Sequence, residues 1–286
     1  MHRNFILLFA SALIAVATGC KKSDPTSDPT SDPAQDANSV TDCQGNTYKT
    51  VTIGKQVWMA ENLRCTKYDT DSELAGETLP HDYKKATITP FCVNASNKGA
   101  WFEGSGEDDP SNSKYTGRKL SDEQVAKLGI LYNWAAAVGL KDEKDIYDQT
   151  KEFSKQRQGI CPNGWHIPTA AEYAELAKEL GGDPVEVGTD IIEYPAIGKF
   201  LKSASGWFED GNGSDTFGFN ALPAGRNADP PLVYFIGMEI NLCTATPDGK
   251  YTCFSYGIHY SSNKFTQYSE DSAFKDMAYS VRCVKN

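Results

Sequence analysis

The sequence predicts a loop-rich α+β domain, with two or three helices early and an antiparallel sheet late. Three observations predict it. One segment near the middle is a strongly capped amphipathic helix, the last third is a series of aromatic and β-branched runs broken by turns, and the composition is globular. The chain has 286 residues, 40% of them hydrophobic and 11% aromatic. Its formal net charge is −10, and −11 once a leader with the single basic residue Arg3 is removed. So acidic a chain lacks the basic face that displaces counterions, which excludes nucleic acid as a partner.

Residues 1–19 read as a lipoprotein signal peptide. Arg3 precedes an apolar run from Phe5 to Ala17, too short to span a bilayer. Ala17, Thr18 and Gly19 stand directly before Cys20, the arrangement of a bacterial lipobox, so Cys20 is the expected lipidation site and membrane anchor. Residues 20–39 follow as an acidic tether. Ser-Asp-Pro starts at Ser23, Ser27 and Ser31, and proline in each repeat blocks helix and favours extended chain. The folded domain is assigned to 40–286.

Its elements follow in order. Tyr48, Val51, Ile53, Val57 and Met59 alternate with polar residues around Gly54-Lys55, which reads as a hairpin. Asp69 to Lys119 is polar and aperiodic, and is assigned to surface loops. Ser121 with Gln124 three positions on is a capping box for a helix through Val125 and Leu128. Thr169 with Glu172 caps the clearest helix, whose Tyr173, Leu176, Ala177 and Leu180 share one face. Ile197, Phe200, Leu201 and Ala204 predict a shorter one. After it FGFNALPAG, LVYFIGMEINLC, KYTCFSYGIHYSS and AYSVRCVK read as β structure and turns.

Five strings in order, DCQGNTYKTVTIGKQVWMAENLRCTKY, GILYNWAAA, GICPNGWHIPTAAEYAEL, SDTFGFNALPAGRN and SVRCVK, resemble the Fibrobacter succinogenes major paralogous domain. That family occurs in secreted and lipid-anchored proteins of Bacteroidetes and Fibrobacteres. The resemblance implies a C-type-lectin-like domain, distantly similar to the formylglycine-generating-enzyme fold. It also implies a Cys161–Cys283 disulfide, the cysteines standing in the CPNGWH and SVRC strings. The segment from Leu242 to Gly257 departs from the family pattern.

Eight cysteines point to an oxidising compartment. With Cys20 lipidated and Cys161 paired to Cys283, Cys243 and Cys253 flank a Pro247-Asp248-Gly249 turn and suggest a hairpin bridge. Cys65 with Cys92 follows by elimination, and Cys43 is the odd thiol. A zinc site is disfavoured, because no CxxC pair exists and the mature chain has only His81, His166 and His259.

No catalytic residue is assigned. GxSxG, HExxH and P-loop spacings are absent, and His166 is expected to be a hydrogen-bonded structural histidine. Asp210, Asn212, Ser214 and Asp215 form a candidate calcium loop. It is not an EF-hand, since Asp215 stands where glycine is needed and Ala221 where glutamate is. The string also fits a structural turn before FGF, which is the preferred reading. Tyr234, Tyr251, Tyr256 and Tyr260 are candidates for a recognition surface. The expected function is non-catalytic binding or adhesion toward a glycan or protein, on a lipoprotein of the outer membrane facing the surface or the periplasm. The alternative is an oxidase or transferase using a reactive Cys243/Cys253 pair.

Overall fold

A computed structural model describes residues 38–79, 92–94, 122–148, 156–229, 232–269 and 273–286. The leader and the tether, Cys20 included, lie outside the described residues apart from the last two tether positions. Alternating apolar side chains place β2 (Thr47–Ile53) and β3 (Gln56–Met59) in the expected hairpin, with Val51 opposite Trp58. β1 (Ser39–Thr41) adds to its outer edge. On its inner side β3 pairs with the last strand of the chain, β15 (Val284–Lys285), which also pairs with β6 (Trp165–His166). These make a five-stranded sheet ordered β1-β2-β3-β15-β6.

The second sheet has ten strands. Its path begins with β10 (Leu232–Tyr234), β9 (Arg226–Asp229), β14 (Ala278–Ser280) and β11 (Glu239–Pro247), then runs through β12 (Cys253–His259), β13 (Phe265–Tyr268), β8 (Ile191–Tyr194) and β7 (Val185–Val187). β5 (Ile130–Asn133) pairs with β14 on one side and β4 (Cys92–Asn94) on the other. All pairings are antiparallel except β11 with β14, where Leu242 lies beside Ser280.

The expected α+β, C-type-lectin-like class is therefore wrong: the fold is β-rich. Among the described residues there are five short helices: α1 (Asp122–Leu128), α2 (Trp134–Val138), α3 (Glu143–Ile146), α4 (Ala170–Glu179) and α5 (Ile197–Leu201). Four of them have at most seven residues, about two turns, too short to form a helical layer over a ten-stranded sheet. Nor do helices come early and strands late. β5, β7 and β8 lie between helices in sequence yet belong to the same sheet as the C-terminal strands. The capping box of α4 is present as predicted, Thr169 and Glu172 each binding the other's backbone N–H. α1 begins at Asp122, and its predicted cap Ser121 lies outside the described residues. The FGFNALPAG run is loop, tied to Lys202 by an isolated bridge at Ala221.

The apolar residues form two main clusters. One gathers Tyr68, Tyr132, Trp134 and Val281, and the other Trp58, Tyr173, Phe219, Tyr256 and Phe265. The chain passes from the ten-stranded to the five-stranded sheet at Val281-Arg282-Cys283, between β14 and β15. No helix among the described residues is long and apolar enough to cross a membrane.

Candidate functional site

The strings that carry the resemblance turn inward. Arg282 is fully buried at the sheet-to-sheet crossing. Its Nε donates to Asn62 Oδ1 at 2.8 Å and its Nη2 to Asn220 O at 2.7 Å, while Nη1 donates to Phe219 O and to Met59 O. The guanidinium lies 4.7 Å from the Phe219 ring centroid. Burial pushes its pKa down to about 10, which leaves it charged at neutral pH. Asn62 in turn donates to Leu128 O at 2.8 Å. One side chain thus joins the first, fourth and fifth strings of the resemblance.

The second and third strings behave alike. Tyr132 donates to Cys65 O at 2.7 Å, Asn133 caps α2, and Trp134 Nε1 donates to Thr244 O at 3.1 Å. Gly159 lies so close to Ala137 that a Cβ there would stand 1.9 Å from its carbonyl oxygen, so only glycine fits. His166 is 1% exposed, with Nδ1 2.7 Å from Asn286 Oδ1 and Nε2 2.8 Å from Glu172 Oε1. Burial favours the neutral acid of Glu172. The hydrogen bonds of His166 and Thr169 outweigh it and hold the carboxyl below its ordinary range. These contacts make His166 the structural histidine the sequence suggests, anchored to a helix cap and the chain terminus.

One of three expected disulfides is formed. Cys161 and Cys283 are bonded with Cα atoms 5.9 Å apart, fixing the approach to β6 against the crossing. Cys243 and Cys253 are not bridged, a correction to the hairpin reading. The ladder sets Cys243 opposite Ser255 and Cys253 opposite Pro247, with a bulge between, so the two cysteines do not face each other across it. Burial pushes the Cys253 thiol up to about 12 and raises that of Cys243 as well, the opposite of an activated pair. Cys65 is a buried thiol, so the expected Cys65–Cys92 bridge is absent too. Cys65 donates instead to Lys67 O at 3.0 Å and Gln44 Oε1 at 3.2 Å. The side chain of Cys92, on β4, lies outside what the structure describes.

Three of the four candidate calcium ligands make hydrogen bonds within the fold. Asn212 Oδ1 accepts from Trp207 N at 3.0 Å, Ser214 Oγ donates to Lys199 O at 3.3 Å, and Asp215 Oδ1 accepts from Asn220 N at 2.6 Å. Among the described residues no three His, Cys, Asp or Glu side chains converge on a point that could hold a metal. The contacts of Ser214 and Asp215 tie this turn to α5 and to the segment before Ala221.

The four tyrosines do not share a surface. Tyr256 is buried, donating to Ala170 O at 3.0 Å and stacked near Tyr173 and Phe265. Tyr251 is 53% exposed at the start of β12, beside Tyr147. Tyr260 lies just past the other end of this seven-residue strand, nine residues on and so up to about 30 Å away at ~3.3 Å per residue. Tyr234 packs against Phe235 on β10.

Tyr260 and the turn meet at a surface cleft of about 340 Å³, lined by Lys202, Asp210, Asn212, Tyr260, Ser261 and Asn263. Lys202 is 1% exposed, its Nζ donating to His259 O at 3.3 Å and Tyr260 O at 3.1 Å and lying 5.1 Å from the Trp207 ring centroid. Burial pushes the amine down to about 8. The wall is closely built, because a Cβ on Gly213 would meet Lys202 at 2.4 Å. At the rim, Glu209 and Asp210 are consecutive non-glycine residues with φ of 43° and 54°, a strained pair of the kind that clusters at ligand sites. Phe208 and Tyr260 pack edge to face at 5.3 Å, and His259 Nδ1 is 2.8 Å from Ser261 Oγ. Sequence reading found Asp210, Asn212 and Tyr260 but missed Lys202, whose only signal was its place in an amphipathic helix.

A larger cavity of about 440 Å³ lies beside Asp71, Gly139, Arg157 and Asn286. Its arginine is occupied by Glu73 in a two-pronged pair at 3.1 and 2.9 Å and by the carbonyls of Val138 and Gly139. That cavity is a structural seam, and the smaller cleft is the better site.

The family model described as the Fibrobacter succinogenes major domain matches residues 51–285. No curated protein matches. No solved structure matches.

Proposed function

The chain belongs to the Fibrobacter succinogenes major domain family, and from that premise we propose a lipid-anchored cell-envelope protein whose folded domain binds a glycan without chemistry. The observation that carries this reading is the cleft at Lys202. Its lining of carboxylate, amides, hydroxyl and tyrosine matches the donors, acceptors and apolar face of a sugar ring, and its size suits one ring. Lys202, held by two carbonyls, adds a cationic donor. A protein ligand presenting one polar side chain is the other occupant the cleft suits. The leader and Cys20 support anchoring to the outer membrane, with the acidic tether setting the domain off the bilayer.

A glycan array probed with the purified protein tests the reading. Binding by the natural chain and loss of about tenfold or more in affinity, ~1.4 kcal/mol, in Asn263→Ala supports it. Array binding that Asn263→Ala leaves unchanged overturns the assignment of the cleft. Protease shaving of intact cells separates the surface face from the periplasmic one.

A further inference from the structure

Resting on the glycan reading of the cleft, we propose that the sugar it takes is anionic: a ring bearing a carboxylate or a sulfate ester that pairs with the Lys202 ammonium. A cation taken out of water is costly unless an opposite charge answers it. Lys202 is 1% exposed, and no partner of its Nζ among the described residues is charged. Two of its N–H donors go to the carbonyl oxygens of His259 and Tyr260, at 3.3 and 3.1 Å, and the Trp207 ring centroid lies 5.1 Å away. An ammonium has three donors, so one remains to meet a ligand. His259 adds no charge beside it, because burial and then the Lys202 ammonium hold its imidazole below the ordinary range.

A second buried lysine shows what sets this one apart. Lys275 is 0% exposed, donates to Ile146 O at 2.9 Å and Lys250 O at 3.2 Å, and lies 4.4 Å from the Trp134 ring centroid. Lys202 has the same kinds of partner and, in addition, lines a cleft with Asp210, Asn212, Tyr260, Ser261 and Asn263. An unanswered charge in a wall that a ligand reaches favours a ligand of opposite sign. The acidic rim does not reverse this preference. Glu209 and Asp210 are exposed, so water and salt screen them, whereas the buried ammonium is screened far less. Ring hydroxyls suit the rest of the lining: the Asp210 carboxylate accepts from them, and the Asn212 and Asn263 amides and the Ser261 hydroxyl donate to them. An anionic substituent at one end of the ring and hydroxyls at the other therefore match the wall and the rim together. A neutral sugar leaves the ammonium unanswered, and an amino sugar meets it with like charge.

The test measures calorimetric affinities of the full mature protein for methyl glucoside, methyl glucuronide, methyl glucoside 6-sulfate and N-acetylaspartate. It is done at neutral pH, below the value of about 8 to which burial pushes the amine. The glucuronide or the sulfate ester is expected to bind at least about tenfold more tightly than the neutral glucoside, and the tighter of the two identifies the substituent. Lys202→Met should remove that preference, whereas Asn263→Ala should weaken the charged and neutral sugars alike and keep their ratio. The comparison of probes on the natural chain decides the matter even if Lys202→Met fails to fold. Equal affinity for charged and neutral sugars overturns the proposal and leaves the glycan reading standing, as does a preference that Lys202→Met retains. N-acetylaspartate bound as tightly as the glucuronide points to an acidic protein side chain and overturns the proposal. Absence of binding to every sugar overturns the glycan reading with it.

Discussion

Three cations of this molecule, Arg282, Lys202 and Lys275, are buried without a carboxylate in ion-pair contact among the described residues, and the first two stand in regions that use them to different ends. Arg282, fully buried, and Lys202, 1% exposed, are each answered by backbone carbonyls and each lie over an aromatic ring. Arg282 serves acceptors from two segments far apart in the chain, Met59 to Asn62 and Phe219-Asn220, and stands where the chain changes sheets. Lys202 serves two carbonyls of one segment and stands at the wall of a cleft. Only the ammonium, with three donors and a pKa near neutrality, is suited to answer a ligand; the guanidinium holds the scaffold. Breaking the first should unfold the domain, and altering the second site should change what it binds.

The largest effect is expected at the crossing. Arg282→Met strands the buried oxygens of Asn62, Phe219 and Asn220, and should lower stability by about 3–5 kcal/mol in urea unfolding, or prevent folding. Cys161→Ser should come next, at about 2–5 kcal/mol, because it frees a loop of 122 residues in the unfolded chain. Cys243→Ser should not release a free partner thiol at Cys253, since both are already thiols, and Ellman counts before and after should fall by one.

The cleft is expected to respond to pH instead. Burial pushes the Lys202 amine from its ordinary 10.5 down to about 8 in the folded state. Below that value both states carry its proton. Between the two values the unfolded chain holds it and the folded one does not, so this group makes stability rise with pH across the window. The gain should be roughly 1–3 kcal/mol between about pH 7.5 and about pH 10.5, and Lys202→Met should abolish it in urea midpoints taken at both ends. The smallest effect on folding belongs to the rim. Asp210→Asn keeps a residue that tolerates the left-handed backbone, and should move stability by no more than about 0.5 kcal/mol.

What was legible in the sequence follows the same division. The β2–β3 hairpin and α4 are written in neighbouring residues, an alternation around Gly54 and a Thr169–Glu172 box, and both are present. ILYN is a four-residue apolar run that period alone cannot assign, and its place as β5 depends on strands far along the chain. With no strand expected at ILYN or at the β7 and β8 segments, the sheet was expected only late in the chain, where in fact it continues through all three. The Cys161–Cys283 bond was reachable through the family strings, whereas the failed Cys243–Cys253 pairing turned on a bulge no spacing reveals. Lys202, Asp210 and Tyr260 come together only because the α5 turn folds onto the end of β12.

The central claim, that the inward strings build the domain while the cleft binds, is tested most directly by one titration. Affinity for the glycan selected on the array is measured with the Asp210→Asn, Asn263→Ala double variant, at a protein whose urea midpoint matches the natural chain. The account predicts binding weakened by at least about tenfold, ~1.4 kcal/mol, with the fold intact. Undiminished affinity in that folded variant would contradict it.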